Sequence, residues 1–171
     1  MLDADEMKMI EKGWLGLNVV WMAMLGSLVI YLGLGLYLKD HALFSVGKEF
    51  PLNILRKALY AASIIAVVLA KYIRKYMLEG RRDGSIKKTD QPLTASNQYP
   101  AVVTYAKAVI LSLIMSESAG LFGLILFALS NVLTDLYTLL AISAAALLYY
   151  RPHKEELLNL ANAFKKQAAG V

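Results

Sequence analysis

With 171 residues, 58 % of them hydrophobic, and a mean hydropathy of +0.51, the chain is too apolar for an ordinary soluble domain. The net charge of +5 does not point to nucleic acid, because the basic residues sit in the intervals between apolar blocks rather than on one patch. Zero cysteines exclude disulfides, thiolate metal sites, iron–sulfur clusters and covalent haem attachment.

The N-terminal segment MLDADEMKMIEK is acidic where a cleavable signal is basic, so no removable leader is expected. Asp3 with Glu6 resembles a capping box, which predicts a helix leading straight into the first apolar block. That block, Trp14 to Leu38, is 25 residues without a charge, enough to cross a hydrocarbon core of roughly 30 Å. Its GLGLGLYL run lies in lipid with no strand or anionic site beside it, so it is not read as a nucleotide loop.

Residues 39–54 read as an external loop. The second apolar block, Ala58 to Ala70, has only 13 uncharged residues. It spans only if Arg56 and Lys57 at one end and Lys71 at the other extend to the headgroups. The interval 79–100, rich in Gly, Pro, Ser and charge, reads as a solvated connection. Ala108 to Thr134 is 27 residues with Glu117 as the sole charge. Leu136 to Tyr150 completes a fourth crossing, separated from the third by a few residues around Ser130 and Asn131, so the two must pack as antiparallel neighbours. After Pro152, Leu157, Leu160, Ala161 and Phe164 share one face of a cytoplasmic amphipathic helix, expected on the headgroups or against a partner.

The expected fold is therefore an all-α integral membrane protein in one membrane domain. Its helices cover about 14–38, 55–76, 101–130 and 132–150, with a cytoplasmic loop at 79–100 and an amphipathic tail at 153–168. Fourteen Lys/Arg fall before Trp14, between Lys71 and Lys107, or from Arg151 onward, against four between the first two crossings. The positive-inside rule then predicts cytoplasmic termini in a multi-pass protein of the cell (inner) membrane.

Two small-residue stripes recur at every fourth position: Ala58, Ala62, Ala66 and Ala70 in the second helix, and Ala108, Ser112, Ser116 and Gly120 in the third. Such spacing lets backbones approach closely, so the two helices are expected to form a tight hairpin.

Glu117 is the candidate functional residue. A carboxylate at mid-membrane costs about 2.5–3.5 kcal/mol on the insertion scale, so intramembrane acids are functional candidates by default. Lys107 lies ten residues earlier, which is about 15 Å along a helix and puts Glu117 near the membrane centre. Three roles are open: reversible binding of a proton or cation, a permanently protonated helix link, or pairing with a basic residue of another chain. Hydroxyls at matching depth that could bond the carboxyl are Ser27 with Tyr31, Ser63, Ser116 and Ser143. Each serine could instead bond its own preceding turn.

The stretch MSESAGLFGLILFAL resembles the ion-carrying helix of the proteolipid family, the subunit c of rotary ATP synthases and its vacuolar relatives. The matching residues run from Glu117 through Ser118, Ala119, Gly120, Leu121 and Phe122 to Gly123. The resemblance implies that Glu117 carries the ion within an oligomer or larger complex, with Ser118 as a further hydroxyl ligand. Phe122 offers no hydroxyl where sodium-using members supply one, so a proton is implied rather than sodium. The second helix carries alanines where the family has alternating glycines. A long polar loop, with only Gln91 and Pro92 as an echo, replaces its short Arg-Gln/Asn-Pro loop. Both differences favour a proteolipid-like subunit of another role over a rotor ring member.

No paired carboxylates or Ser/His/Asp grouping is visible, so no enzyme working alone is expected. His41 and His153 fall on opposite sides of the predicted membrane and cannot share a haem. No cofactor and no metal is expected, and the expected partners are the lipid bilayer and other membrane subunits or copies of the chain, with no nucleic acid. The competing reading is a structural or accessory subunit of a membrane complex, in which Glu117 only makes a helix–helix contact.

Overall fold

The structure, a computed structural model, describes residues 3–40, 51–82 and 100–168. The loop residues His41, Gln91 and Pro92 lie outside that set. The described residues form five α-helices and no strand: α1 Ala4–Asp40, α2 Leu52–Arg82, α3 Pro100–Ser130, α4 Leu133–Tyr149 and α5 Lys154–Ala168. Helices α1, α2 and α3 are each long and apolar enough to cross a membrane. Helix α4 makes a fourth crossing if taken with α5, from which it is bent by 48°. The chain is thus an all-α protein of membrane type.

Helix boundaries follow from local chemistry. At the start of α1 the Glu6 carboxylate accepts from the Asp3 backbone N–H at 2.7 Å, and Asp3 Oδ1 accepts from the N–H of Ala4 at 2.7 Å. Together they occupy donors that a helix N-terminus leaves free. Helix α3 opens on Pro100, whose missing N–H costs nothing at a first position. It ends at Asn131, which takes a left-handed φ of 55° and donates its N–H to Phe127 O at 2.7 Å. Asparagine tolerates that conformation better than most residues, and here it reverses the chain into α4 within two residues.

Helix α3 is the hub. It packs against every other helix, while α1 and α2 make no contact with each other among the described residues. Gly13 of α1 sits against Val102 near the start of α3, and Gly35 of α1 against Leu136 and Phe127 at the α3–α4 turn. Helix α1 therefore runs parallel to α3 and antiparallel to α4. Gly123 lets α4 close on α3: a Cβ there would stand 2.8 Å from Leu139 Cβ.

Helices α2 and α3 pack closely as a hairpin, while the four-residue stripes wind out of the seam between them. A strict four-residue repeat advances about 40° per step beyond a full helical turn, so it winds around the helix. On α2 the stripe climbs from exposed Ala58 through half-buried Ala62 and Ala66 to fully buried Ala70. The buried face of α2 runs instead through Ser63, Ala70 and Arg74 at spacings of seven and four. On α3 all four stripe residues are buried, and the last two of them meet α4 and α1. Ser116 O accepts from Ser143 Oγ of α4, and a Cβ on Gly120 would meet Leu28 of α1 and Ser143 and Leu140 of α4.

The second block lies in a helix long and apolar enough to cross, and two of its arginines turn to partners while Lys57 and Lys71 stay exposed. Arg56 and Arg74 are 18 residues apart, about 27 Å along the helix and close to the hydrocarbon thickness. Arg56 pairs with Asp135 of α4 at 2.9 Å, and Arg74 with Glu156 of α5 at 2.6 Å. The second pair corrects the expectation for α5. Its apolar face lies neither on headgroups nor on another chain: Leu157, Leu160 and Ala161 are buried in this bundle's own core. Arg74 also donates to Tyr150 O at 2.9 Å, while Tyr105 OH donates to His153 O at 3.0 Å. Together these bonds hold the α4–α5 elbow against the ends of α2 and α3.

Candidate functional site: a carboxyl held by hydroxyls

Glu117 lies on α3, half-buried, on the side turned to α1. Ser27 and Tyr31 are four residues apart on α1 and so project from one face. Ser27 Oγ lies 2.5 Å and Tyr31 OH 2.9 Å from the same oxygen, Glu117 Oε1. The second oxygen, Oε2, has no hydrogen-bond partner among the described residues. It is also missing from the sealed polar atoms that lack one, of which Trp14 Nε1 is the sole case there. Oε2 therefore reaches the bundle surface. No cation pairs with Glu117 among the described residues.

The remaining hydroxyls go elsewhere. Ser63 Oγ donates to Leu59 O at 2.8 Å, and Ser116 Oγ to Ser112 O at 2.8 Å, each within its own helix. Ser143 Oγ crosses from α4 but stops at Ser116 O, 2.8 Å away. Ser118 Oγ is committed to Met115 O at 2.7 Å, so the family-implied ligand is turned back on its own turn. Lys107, Leu111, Ile114, Leu121 and Ile125 are exposed on the arc of α3 that also carries Ser118. The carboxyl sits at the border between that open arc and the α1 contact.

Ser27 Oγ has a second neighbour, Met24 O at 2.7 Å. One hydroxyl proton cannot serve both Met24 O and Glu117 Oε1. A protonated Glu117 resolves this by donating to Ser27 Oγ, whose own hydroxyl then donates to Met24 O. An ionised Glu117 resolves it differently: the Ser27 hydroxyl turns and donates to Oε1. Tyr31 donates to Oε1 in either case, so both charge states find partners without moving a helix.

The same distances disfavour a metal. Even magnesium, with ligands at about 2.0–2.1 Å, keeps adjacent oxygens about 3 Å apart. Ser27 Oγ and Glu117 Oε1, 2.5 Å apart, are spaced as a hydrogen-bonded pair. Among the described residues no group of three His, Cys, Asp or Glu side chains converges on a metal position.

A second buried acid escapes the sequence reading. Asp135, 6 % exposed, receives Arg56 Nε at 2.9 Å and Tyr60 OH at 3.2 Å. It sits in the first turn of α4, where a charge reads as the edge of an apolar block. The available signal was the presence of Arg56 at the same membrane level on α2.

No protein-family model matches the chain, and no curated protein or solved structure matches it either.

Proposed function

We propose that the chain is a multi-pass, proteolipid-like membrane subunit that takes up and releases a proton at Glu117, within an oligomer or a larger membrane complex. The carrying observation is the hydroxyl pair on Oε1. Ser27 and Tyr31 can stabilise the carboxyl with or without its proton, and Oε2 stays open at the bundle surface. A purely structural link needs only one protonation state and gains nothing from an open oxygen. The reading assigns no cofactor and no chemistry of its own beyond proton binding. It places the α5 end, with fourteen of the eighteen Lys/Arg on that side of the spans, in the cytoplasm of a cell (inner) membrane protein. Single cysteines at Ser45 and Ser85 test this orientation in the cysteine-free chain. Only the first should react with an impermeant thiol reagent added to intact cells, and reaction of both or neither removes the four-crossing topology.

One observation favours the competing reading of a structural or accessory subunit: the same two hydrogen bonds tie α1 to α3. A hydrophobic carbodiimide separates the two, because it reacts with a protonated, lipid-accessible carboxyl. Under the proton-binding reading Glu117 is labelled, labelling slows as pH rises, and Glu117→Gln preserves assembly while abolishing ion-coupled activity. Absence of labelling at every pH together with a silent Gln variant would falsify the proton-binding reading and leave the structural one.

A further inference from the structure

The elbow between α4 and α5 presents two cations over two tryptophans. The Arg151 guanidinium lies 5.1 Å from the Trp21 ring centroid, and the Lys154 ammonium 5.8 Å from that of Trp14. Trp14 and Trp21 are seven residues apart on α1, so they share a face about 10 Å apart along the axis. The Trp21 ring is fixed by its Nε1–H, which donates to Leu147 O at 2.8 Å. Lys154 is compensated by Glu11 at 3.2 Å. Arg151 has no acidic partner among the described residues and is exposed. Three and two residues before it, Leu148 and Tyr149 are 59 % and 66 % exposed, an apolar and aromatic pair at the helix end.

An exposed, unpaired guanidinium stacked over an indole, two residues beyond an exposed apolar and aromatic pair, meets the requirements of one ligand class. We propose that the α4–α5 elbow binds the phosphate headgroup of an anionic phospholipid, with Arg151 as the principal contact and Lys154 at its flank. The acyl chains would lie along Leu148 and Tyr149. A guanidinium gives two parallel donors to a phosphate, which a lysine cannot match. The inference is independent of the role of Glu117.

The chain contains only these two tryptophans, so its indole fluorescence reports on this elbow alone. The full-length protein is reconstituted in phosphatidylcholine vesicles containing equal small fractions of brominated phosphatidylglycerol or brominated phosphatidylcholine, and quenching is compared. The anionic quencher should be preferred roughly fivefold, the factor expected for one basic side chain at an anionic headgroup. Arg151→Gln should bring the ratio close to one while quenching by brominated phosphatidylcholine stays as in the parent, which also shows that the bundle is intact. Lys154→Gln should lower the ratio less, because Glu11 already balances that charge. Equal quenching by both lipids in the parent, or an unchanged preference in Arg151→Gln, overturns the proposal. Inorganic phosphate added to pure phosphatidylcholine vesicles should leave the fluorescence unaltered, and a saturable change would replace the lipid with a free anion.

Discussion

Glu117 and Asp135 are two acids of one helical hairpin, and the protein treats them oppositely. Asp135, near the α3–α4 turn, is buried against a guanidinium and a phenol. Glu117, toward the middle of α3, is half-buried against two hydroxyls, with no cation beside it among the described residues. The difference is one of partners. A buried carboxylate paired with arginine depends on its partner, because losing either one leaves a charge uncompensated. A carboxyl bonded only to hydroxyls can change state, because each hydroxyl can turn to donate or accept. The first arrangement suits a clamp between α2 and α4, and the second suits an exchangeable proton.

The comparison breaks most visibly at the clamp. Arg56→Gln would leave the Asp135 carboxylate buried and unpaired. Losing one partner of a fully buried pair costs about 3–5 kcal/mol. Arg56 is 37 % exposed on its side chain and Asp135 only 9 %, which lowers the expected loss to about 2–3 kcal/mol. Asp135→Asn should be milder, since the arginine left behind can reach water. Adding Asp135→Asn to Arg56→Gln should recover most of the loss. Unfolding in mixed micelles measures all three variants. At the other acid, Ser27→Ala and Tyr31→Phe should each cost about 1 kcal/mol, the worth of one ordinary hydrogen bond. If the serine and tyrosine variants proved as damaging as Arg56→Gln, the distinction between clamp and exchange site would collapse.

The apolar blocks carry most of the fold in the sequence, because crossing a membrane demands uninterrupted apolar runs that few other structures need. Glu117 stands out for the same reason, and Ser27 and Tyr31 are recognisable as hydroxyls near the middle of the first run. Three features are not legible. Asp135 hides at a block edge, where a charge looks like a boundary. The tail's apolar face looks available for lipid, because nothing local announces that Arg74 will bind Glu156 across 82 residues. The stripes point to the right helix pair but not to the whole seam, because a spacing of four and a helical period of 3.6 agree over two turns and diverge over four.

That divergence makes a prediction of intermediate size. Ser116→Leu places a large side chain where the serine is 0 % exposed and where α4 donates to its carbonyl. Ala62→Leu adds the same kind of bulk at a half-buried position on α2. Overpacking costs about 1–3 kcal/mol, and the serine variant should lie at the upper end of that range with the alanine variant below it. Equal losses would mean that Ala62 and Ser116 do face each other in one seam, contrary to the winding of the stripes.

The smallest effect sharpens the comparison with a third carboxylate, this one outside the membrane. Glu6 lies two turns before the apolar block of α1 and accepts from Lys165 of α5 at 2.8 Å. That hydrogen bond, followed by the one from the Asp3 backbone N–H, holds the Glu6 carboxyl below its ordinary pKa. A folded-state pKa below the unfolded one stabilises the fold above the unfolded value, and the gain disappears as pH falls through the folded value. The contact should therefore help hold α5 on α1 at neutral pH and contribute nothing in strong acid. Melting curves of the parent and Lys165→Gln, recorded across the glutamate titration range, should converge at the acid end and separate slightly above it. Because the Glu6–Lys165 pair lies at the bundle surface, with Lys165 40 % and Glu6 23 % exposed, the separation should also shrink with added salt, more than the loss in Arg56→Gln. Parallel curves at every pH would show that the apolar face of α5 alone secures it. A separation insensitive to salt would place Glu6 with Asp135, among the carboxylates that the bundle shields.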